Sequence, residues 1–355
     1  MPSTPTGTPS FTIDEVTIPA SIDAADAADF IEATGVVSRV EADIVGSFDL
    51  AYTPAELLPT WHDPYEPRRM FVARVDGRIV GRAVHEVQSG DAVPSAWITV
   101  DVLPEVRGRG IGGALYDTAA AIAVNEGRTV LQVFAMHRDI AGGERITSPT
   151  GYGSVSRHDP GARFLLARGY RLAQVDRMSR LPLPASPPVV EQPAGYSLEV
   201  WEGPTPEHRL ADLAILHAAM STEPPLGETD YQPEVWDEAR VRDVDTRGDA
   251  EGRRWLTAVV RHDATDSLVG FTQLTVPADL SRPVFQQDTV VLEAHRGHRL
   301  GMVVKAANLA RLEELAPGHP SVYTWNAEEN RHMLAVNEAL GFVAAGYPGS
   351  WRLDL

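Results

Sequence analysis

The chain contains no cysteine. That excludes a disulfide framework, a thiolate metal centre and a cysteine nucleophile. It also lacks a long apolar run. The longest weakly polar stretch, 110–127, is interrupted by Asp117, Asn125 and Glu126, so no segment reads as membrane-spanning. No basic-then-apolar leader opens the chain, since the first basic residue is Arg39. A cytoplasmic protein with no membrane partner is the expectation. Basic residues are scarce: 31 Lys+Arg stand against 49 Asp+Glu, a formal net charge of −18. That balance argues against nucleic acid as the main partner, because phosphate contacts need clustered cations. It is compatible with cationic small substrates, although acidity also serves solubility alone. What is present suits a globular chain. The 355 residues are enough for two domains, each with its own core.

Residues 1–10, MPSTPTGTPS, read as a frayed terminus. The proline-rich stretch 181–194, LPLPASPPVVEQPA, cannot sit inside a helix or a central strand, and reads as an extended linker. It divides the chain into an N-terminal domain, 11–180, and a C-terminal domain, 195–355.

The halves resemble one another. In the first, Thr99-Val-Asp-Val-Leu-Pro-Glu-Val-Arg-Gly-Arg-Gly-Ile-Gly112 runs into an Ala/Leu-rich stretch. In the second, Asp288-Thr-Val-Val-Leu-Glu-Ala-His-Arg-Gly-His-Arg-Leu-Gly301 runs into 302–315. Each unit is a β-rich run, a basic turn containing glycine, then a helix. A strand candidate follows (129–135; 321–325), then a helix ending in Gly169-Tyr170 or Gly341-Phe342. Upstream, each half has a strand (11–18; 196–201), helical patterns and a β meander, with Asp76-Gly77 suited to a tight hairpin turn. The acid-rich segment 223–251 is assigned to the helical part of the second half. The fold class is therefore α/β, with a mixed sheet of α+β character, occurring twice in tandem.

A strand that ends at Val102-Leu103-Pro104 and turns through glycines into a helix makes an anion site. Amides at the helix start lack partners, the helix dipole favours negative charge, and glycine lets phosphate approach the backbone. Arg107 and Arg109 add positive charge. Gly108-x-Gly110-x-x-Gly113 also matches the dinucleotide fingerprint, which would make the chain a nicotinamide-linked oxidoreductase. That fingerprint should follow the first strand of a βαβ unit, and here a β meander precedes it. A nucleoside triphosphate loop fails, because no Gly-Lys-Ser/Thr follows. The remaining alternative is a bare structural turn with no ligand. A second basic, glycine-containing turn in the matching place weighs against it.

At these residues the sequence resembles the GCN5-related N-acetyltransferase (GNAT) superfamily, whose signature Arg/Gln-x-x-Gly-x-Gly/Ala cradles the coenzyme A pyrophosphate. Arg107, Gly110 and Gly112 match it fully. Arg296 and Gly301 match in the second half, where Arg299 replaces the middle glycine. The second half also resembles a tandem actinobacterial group through Asp288-Thr289, 295–301, 324–328, Asn330, Met333 and 336–342. The resemblance implies transfer of an acetyl group from acetyl-CoA to a primary amine of a small molecule, such as an aminosugar, a polyamine or an amino-acid-like acceptor. It implies donor contacts at Asp101, Val102, Arg107, Gly108, Arg109, Gly110, Ile111 and Gly112. In the second half these are Val290, Val291, Arg296, Gly297, His298, Arg299, Leu300 and Gly301, with Asn326 and Asn330 on the pantetheine arm. Asn330 is equally well placed to cap a helix.

An attacking amine must lose a proton, and Asp288 is the candidate base. Asp101, on the matching strand, is expected to face solvent. The superfamily commonly protonates the leaving thiolate with a Tyr four residues before the Gly-aromatic pair. Here those positions hold Leu165 and Asn337; Asn337 can hydrogen-bond to sulfur but is no acid, and Tyr323 or Tyr347 could serve instead. The two missing tyrosines motivate the alternative of a non-catalytic CoA-binding scaffold. Trp236 and Trp255 read as core. No metal is expected, and the protein is expected to be a monomer or a homodimer.

Overall fold

The alternating runs of both halves become strands in a computed structural model, which describes residues 10–89 and 93–355. The expected frayed tail, save residue 10, lies outside the described residues. The elements in chain order are β1 (Thr12–Val16), α1 (Ala28–Val45), α2 (Pro54–Leu57), β2 (Arg68–Val75), β3 (Arg78–Glu86), β4 (Ser95–Val102), α3 (Ile111–Asn125), β5 (Val130–Ala135), β6 (Arg145–Thr147), β7 (Ser154–Ser156), α4 (Pro160–Leu166) and β8 (Arg171–Pro182). They continue as β9 (Tyr196–Glu202), α5 (Leu210–Met220), α6 (Glu238–Ala250), β10 (Arg253–His262), β11 (Ser267–Pro277), β12 (Val284–Val291), α7 (Leu300–Leu315), β13 (Ser321–Ala327), α8 (Arg331–Ala339), β14 (Val343–Gly346) and β15 (Gly349–Asp354). Among the described residues no helix is long and apolar enough to cross a membrane.

The chain folds as two compact units whose borders do not follow the sequence halves. One unit takes residues up to Arg138, then Pro160–Arg171 and Ser350–Leu355. The other takes Asp139–Asp159 and Leu172–Gly349. The first sheet has the order β1-β2-β3-β4-β5-β15, so the last strand of the chain completes the first unit. The second has the order β8-β13-β12-β11-β10-β9, with β14 also on β8. In both sheets the meander is antiparallel and one neighbouring pair is parallel, β4 with β5 and β12 with β13.

In the second unit each sheet face has its own helices. Leu300, Val303 and Val304 of α7 pack on Ala258 and Val260. Leu210, Leu213 and Leu216 of α5, with Val241 of α6, pack on Val259, Phe271 and Val290. Burying both faces in this way is what makes a β-rich module stable. In the first unit α1 and α3 pack on β3 and β4.

Two expectations need correction. The acid-rich segment is helical only over 238–250. Pro224, Pro225 and Pro233 remove donors and clash with a continuing helix, so 222–237 runs as an irregular crossing. The proline-rich stretch is also not all linker. Leu181 and Pro182 are strand, and Leu181 packs in the core of the second unit.

Candidate functional site

The parallel strands of each unit part company. β4 and β5 pair only at 95–97 with 130–132, although β4 runs on to Val102. β12 and β13 pair only at 284–285 with 322–323, although β12 runs on to Val291. Beyond those points the facing edges make no ladder bonds with each other. Their backbone groups are available to a guest that lies between the strands. When Arg107 is aligned with Arg296, the two gaps open within one residue of each other along β4 and β12.

Beyond each gap the strand ends in the same turn. A single helical turn at 104–106 or 293–295 leads into the glycine segment. Gly108 and Gly110 have φ of +77° and +83°, and Gly297 has +86°. Arg299, standing where the middle glycine is expected, adopts the same left-handed geometry at +59°. The turn therefore keeps its shape in the second unit, at a conformational cost that glycine avoids. Gly110 and Arg299 are the N-caps of α3 and α7, and neither helix has a side-chain cap. Their first-turn amides point outward, apart from Met302 N–H, which bonds to Arg299 O at 3.0 Å. A Cβ built at Gly108, Gly110, Gly297 or Gly301 meets nothing within 4 Å. Both turns thus offer open space beside unpaired amides, as a diphosphate requires.

The signature arginines face elsewhere. Arg107 donates through Nε to Val102 O (2.9 Å), and its Nη1 pairs with Asp43 (2.9 Å). Arg296 repeats the pattern: Nε to Val291 O (3.2 Å), Nη2 to Glu223. Each ties the turn to the end of its strand. Arg109 bonds to Glu105 O at 3.3 Å. Two glycines that sequence reasoning passed over complete this corner. A Cβ on Gly81 would come within 3.0 Å of Asp101 O, and one on Gly270 within 3.1 Å of Val290 O. Both sit in the matched meander strands, at equivalent positions, so the duplication itself carried the signal. Ile111 and Leu300 are buried and anchor the first helical turns.

The carboxylates behave differently in the two units. Asp101 was expected to face solvent. It is buried instead, and accepts from Arg82 Nε at 2.8 Å. Burial forces this pairing, because a lone carboxylate there would be strongly destabilised. The same pocket pushes Glu41 of α1 up to about 7, through burial first and the Asp101 charge second, with Arg82 opposing. Asp288 has a freer setting on β12, three residues past the last pair with β13, and its side chain is 44% exposed. His217 Nδ1 of α5 lies 3.5 Å from Asp288 Oδ2. The His217 ring is buried, stacked on Trp236 (4.4 Å, 14°) and edge-on to Phe271 (4.9 Å). Trp236 is therefore partly core and partly the wall behind this histidine. The sequence pointed to Asp288 but not to His217, which sits 71 residues away on another element.

On the other side of the second gap, Asn337 of α8 is buried and donates through Nδ2 to Asn326 Oδ1 at 2.6 Å. Its own Oδ1 is buried with no hydrogen-bond partner, and so is Gln286 Oε1, one residue past the last pair of β12 with β13. Buried acceptors left open are costly unless a ligand completes them. Asn330 spends its side-chain oxygen on Met333 N–H (3.2 Å) and caps α8. The counterpart of Asn337 in the first unit, Leu165, is simply core. His295 and His298 gather around Tyr196, with ring centroids 5.8 and 5.2 Å away.

A model of the acetyltransferase (GNAT) family matches residues 40–139, which include the first strand gap and its glycine turn. Over 97% of this chain and 98% of the other, the fold is similar to a tandem GNAT protein from the clavulanic acid biosynthesis pathway, at 25% identity and a TM-score of 0.74. A GCN5-related N-acetyltransferase from Sphaerobacter thermophilus shares the fold at 15% identity and a TM-score of 0.65, over 97% of this chain and 95% of that one. No curated protein matches the sequence.

Proposed function

We propose that this chain, matched over residues 40–139 by a GNAT family model and similar in fold to a tandem GNAT protein, is a tandem GNAT acetyltransferase that moves an acetyl group from acetyl-CoA directly to the primary amine of a small molecule, with the second unit carrying the chemistry. The observation that carries this reading is the pairing, in one unit, of an open glycine turn with the half-exposed Asp288 beside buried His217. The first unit has the turn but keeps its nearest acid, Asp101, locked to Arg82. The repeated modules, 11–180 and 195–355 around the 181–194 segment, are read as products of duplication, working as a monomer or a homodimer. An aminosugar, a polyamine or an amino-acid-like acceptor fits the acidic chain.

In this scheme the acceptor ammonium gives a proton to the Asp288 carboxylate, which His217 holds in place. The amine nitrogen bonds to the thioester carbon as the carbon–sulfur bond breaks. Backbone amides along the open edge of β12 receive the developing negative charge on the carbonyl oxygen. Asn337, one of whose Nδ2 hydrogens goes to Asn326, offers the other to the departing thiolate, while solvent takes the second proton from the acylated nitrogen and returns one to the sulfur. Donor contacts run from Val290 and Val291 through Gly297 to Gly301 in this unit, and from Val102 through Gly112 in the first.

The test is thiol release from acetyl-CoA with a panel of amines, in wild type and Asp288→Asn. Amine-dependent release that the substitution abolishes is the expected result. Tight CoA binding with no release for any amine would instead favour the scaffold reading, which Leu165 and Asn337 at the usual tyrosine positions motivate.

A further inference from the structure

The sheet face that carries Asp288 continues past it toward β8. Phe285, Tyr323 and Arg180 form one row across β12, β13 and β8. Asp288 lies three residues beyond that row on β12, and Asp176 four residues beyond it on β8, opposite Ala327 of β13. Both therefore stand past the point where β12 and β13 part. Alternation sets the faces. Leu181 of β8 and Val322 of β13 pack in the core under α7, and Asn326 meets Asn337 of α8. Asp176, Trp325 and Ala327 have the opposite parity, so they share the face on which Asp288 meets His217 of α5.

The irregular crossing spans the gap on this same face. It leaves α5 beside the glycine turn, where Glu223 pairs with Arg296. By 225–228 it has reached β8: Gln174 Nε2 donates to Pro225 O at 2.9 Å, and Glu228 N–H to Ala173 O at 3.2 Å. A Cβ on Gly227 would lie 2.8 Å from Ala173 O, so the close approach depends on the missing side chain. The crossing then returns to the end of α5, with Glu234 N–H on Ser221 Oγ at 3.0 Å. It roofs a cleft that has Asp288 at one end.

At the other end is Asp176. Its carboxyl accepts no hydrogen bond and forms no ion pair among the described residues. Burial first, and the Glu329 charge second, push it up to about 7. Glu329 is held in place by Gln174 Nε2 at 2.7 Å, from the same side chain that reaches the crossing. Arg177 does not neutralise the pair, because it serves the opposite face, on Glu328 and on Glu338 of α8. Arg180 shares their face but sits back in the Phe285 row, four residues along the strand. An enclosed carboxyl pair with no cation is costly unless a ligand brings the charge. Between the two acidic ends β13 presents Trp325, half-buried and stacked on Tyr323 (6.4 Å, 29°). Such a ring offers apolar surface to a methylene chain. Two strand spacings of about 4.8 Å, widened by the gap, hold Asp288 and Asp176 roughly 10 Å apart or more.

We propose that Asp176 and Glu329 are acceptor-binding residues and that the acceptor is a diamine or longer polyamine. One amino group reaches Asp288, the methylene chain lies along Trp325, and a second ammonium sits on the Asp176–Glu329 pair. The proposal rests on the acetyl-transfer reading above and narrows its acceptor. An amino acid would bring a carboxylate into an acidic cleft, and an aminosugar with a single amine would leave the pair unmatched.

Four amines separate the cases: pentylamine, cadaverine (the same chain with a second terminal amine), lysine (cadaverine with a carboxylate) and spermidine. In thiol-release kinetics of the full chain, cadaverine or spermidine is expected to exceed pentylamine and lysine about tenfold or more in kcat/KM. Asp176→Asn and Glu329→Gln should each raise KM for the better of the two about tenfold at unchanged kcat, and leave pentylamine within about twofold. Asp288→Asn, by contrast, acts on kcat. Calorimetry of the same amine with each protein reads the affinity without turnover, and melting curves confirm folding. Equal kcat/KM for pentylamine and the polyamines, or a polyamine preference that survives both substitutions, would overturn the proposal while leaving acetyl transfer intact. Polyamine binding that Asp176→Asn abolishes, with no thiol release for any amine, would keep the site and overturn the transfer reading. Neither release nor binding would overturn both.

Discussion

The two units share a strand gap, a turn and a helix start, but they spend their polar residues differently. The first unit closes its chemistry inward: Asp101 is held by Arg82, Tyr116 by Tyr170, and Leu165 fills the place beside the sulfur path. The second leaves groups open: Asp288 is half-exposed beside His217, and the side-chain oxygens of Asn337 and Gln286 lack partners. Folding physics favours the first arrangement, because the buried Asp101, Arg82, Tyr116 and Tyr170 there satisfy one another in pairs. Function needs the second, because a ligand gains most from groups the fold has left incomplete. On the proposed reading, the duplicated scaffold separates a turn that holds a donor from a turn with chemistry beside it.

The strongest way to break that contrast is at the bases. Asp288→Asn should lower kcat by about 10²–10³-fold with CoA affinity unchanged, whereas Thr99→Ala, at the matching position of the first unit, should leave turnover intact. Steady-state kinetics with the best amine of the panel, alongside CoA titration, reads both. Next comes Asp101→Asn, which strands Arg82 in the interior. It should cost about 3 kcal/mol of stability in chemical denaturation while turnover changes little.

Lys305→Met probes the open unit's internal cost. An amine whose pKa is lowered by burial from 10.5 in the unfolded chain to about 7 in the fold destabilises the protein progressively as pH drops from about 10 to 7. Below that range both states are protonated, and the penalty is constant. The methionine variant should therefore melt higher than wild type near pH 7, and the gap should close toward pH 10. Thermal melts across that range check the sign. Smaller still, Asn337→Leu imports the first unit's residue. It should cost about tenfold in kcat without altering donor affinity, by removing a hydrogen bond at the sulfur.

How much of this the sequence disclosed depended on whether the signal was local. The glycine turns, the hairpin at Asp76-Gly77 and the cap at Asn330 are set by a few neighbouring residues, and the structure has them where their spacing put them. The burial of Asp101 was misread because strand alternation says which face a residue takes, not what waits there. Only the meander register, Arg82 opposite Asp101, decides it. His217 and Glu329 meet their partners across loops whose paths no local pattern specifies. The placement of β15 in the first unit is likewise a long-range outcome that strand propensity does not encode.

The central claim is that backbone amides at two glycine corners grip the diphosphate of acetyl-CoA. Calorimetric titration of acetyl-CoA into wild type, Gly110→Trp and Gly301→Trp tests it most directly, with melting curves confirming that the variants fold. A bulky ring in either open corner should remove one of two binding events and spare the other. Two undiminished binding events in both variants would contradict it.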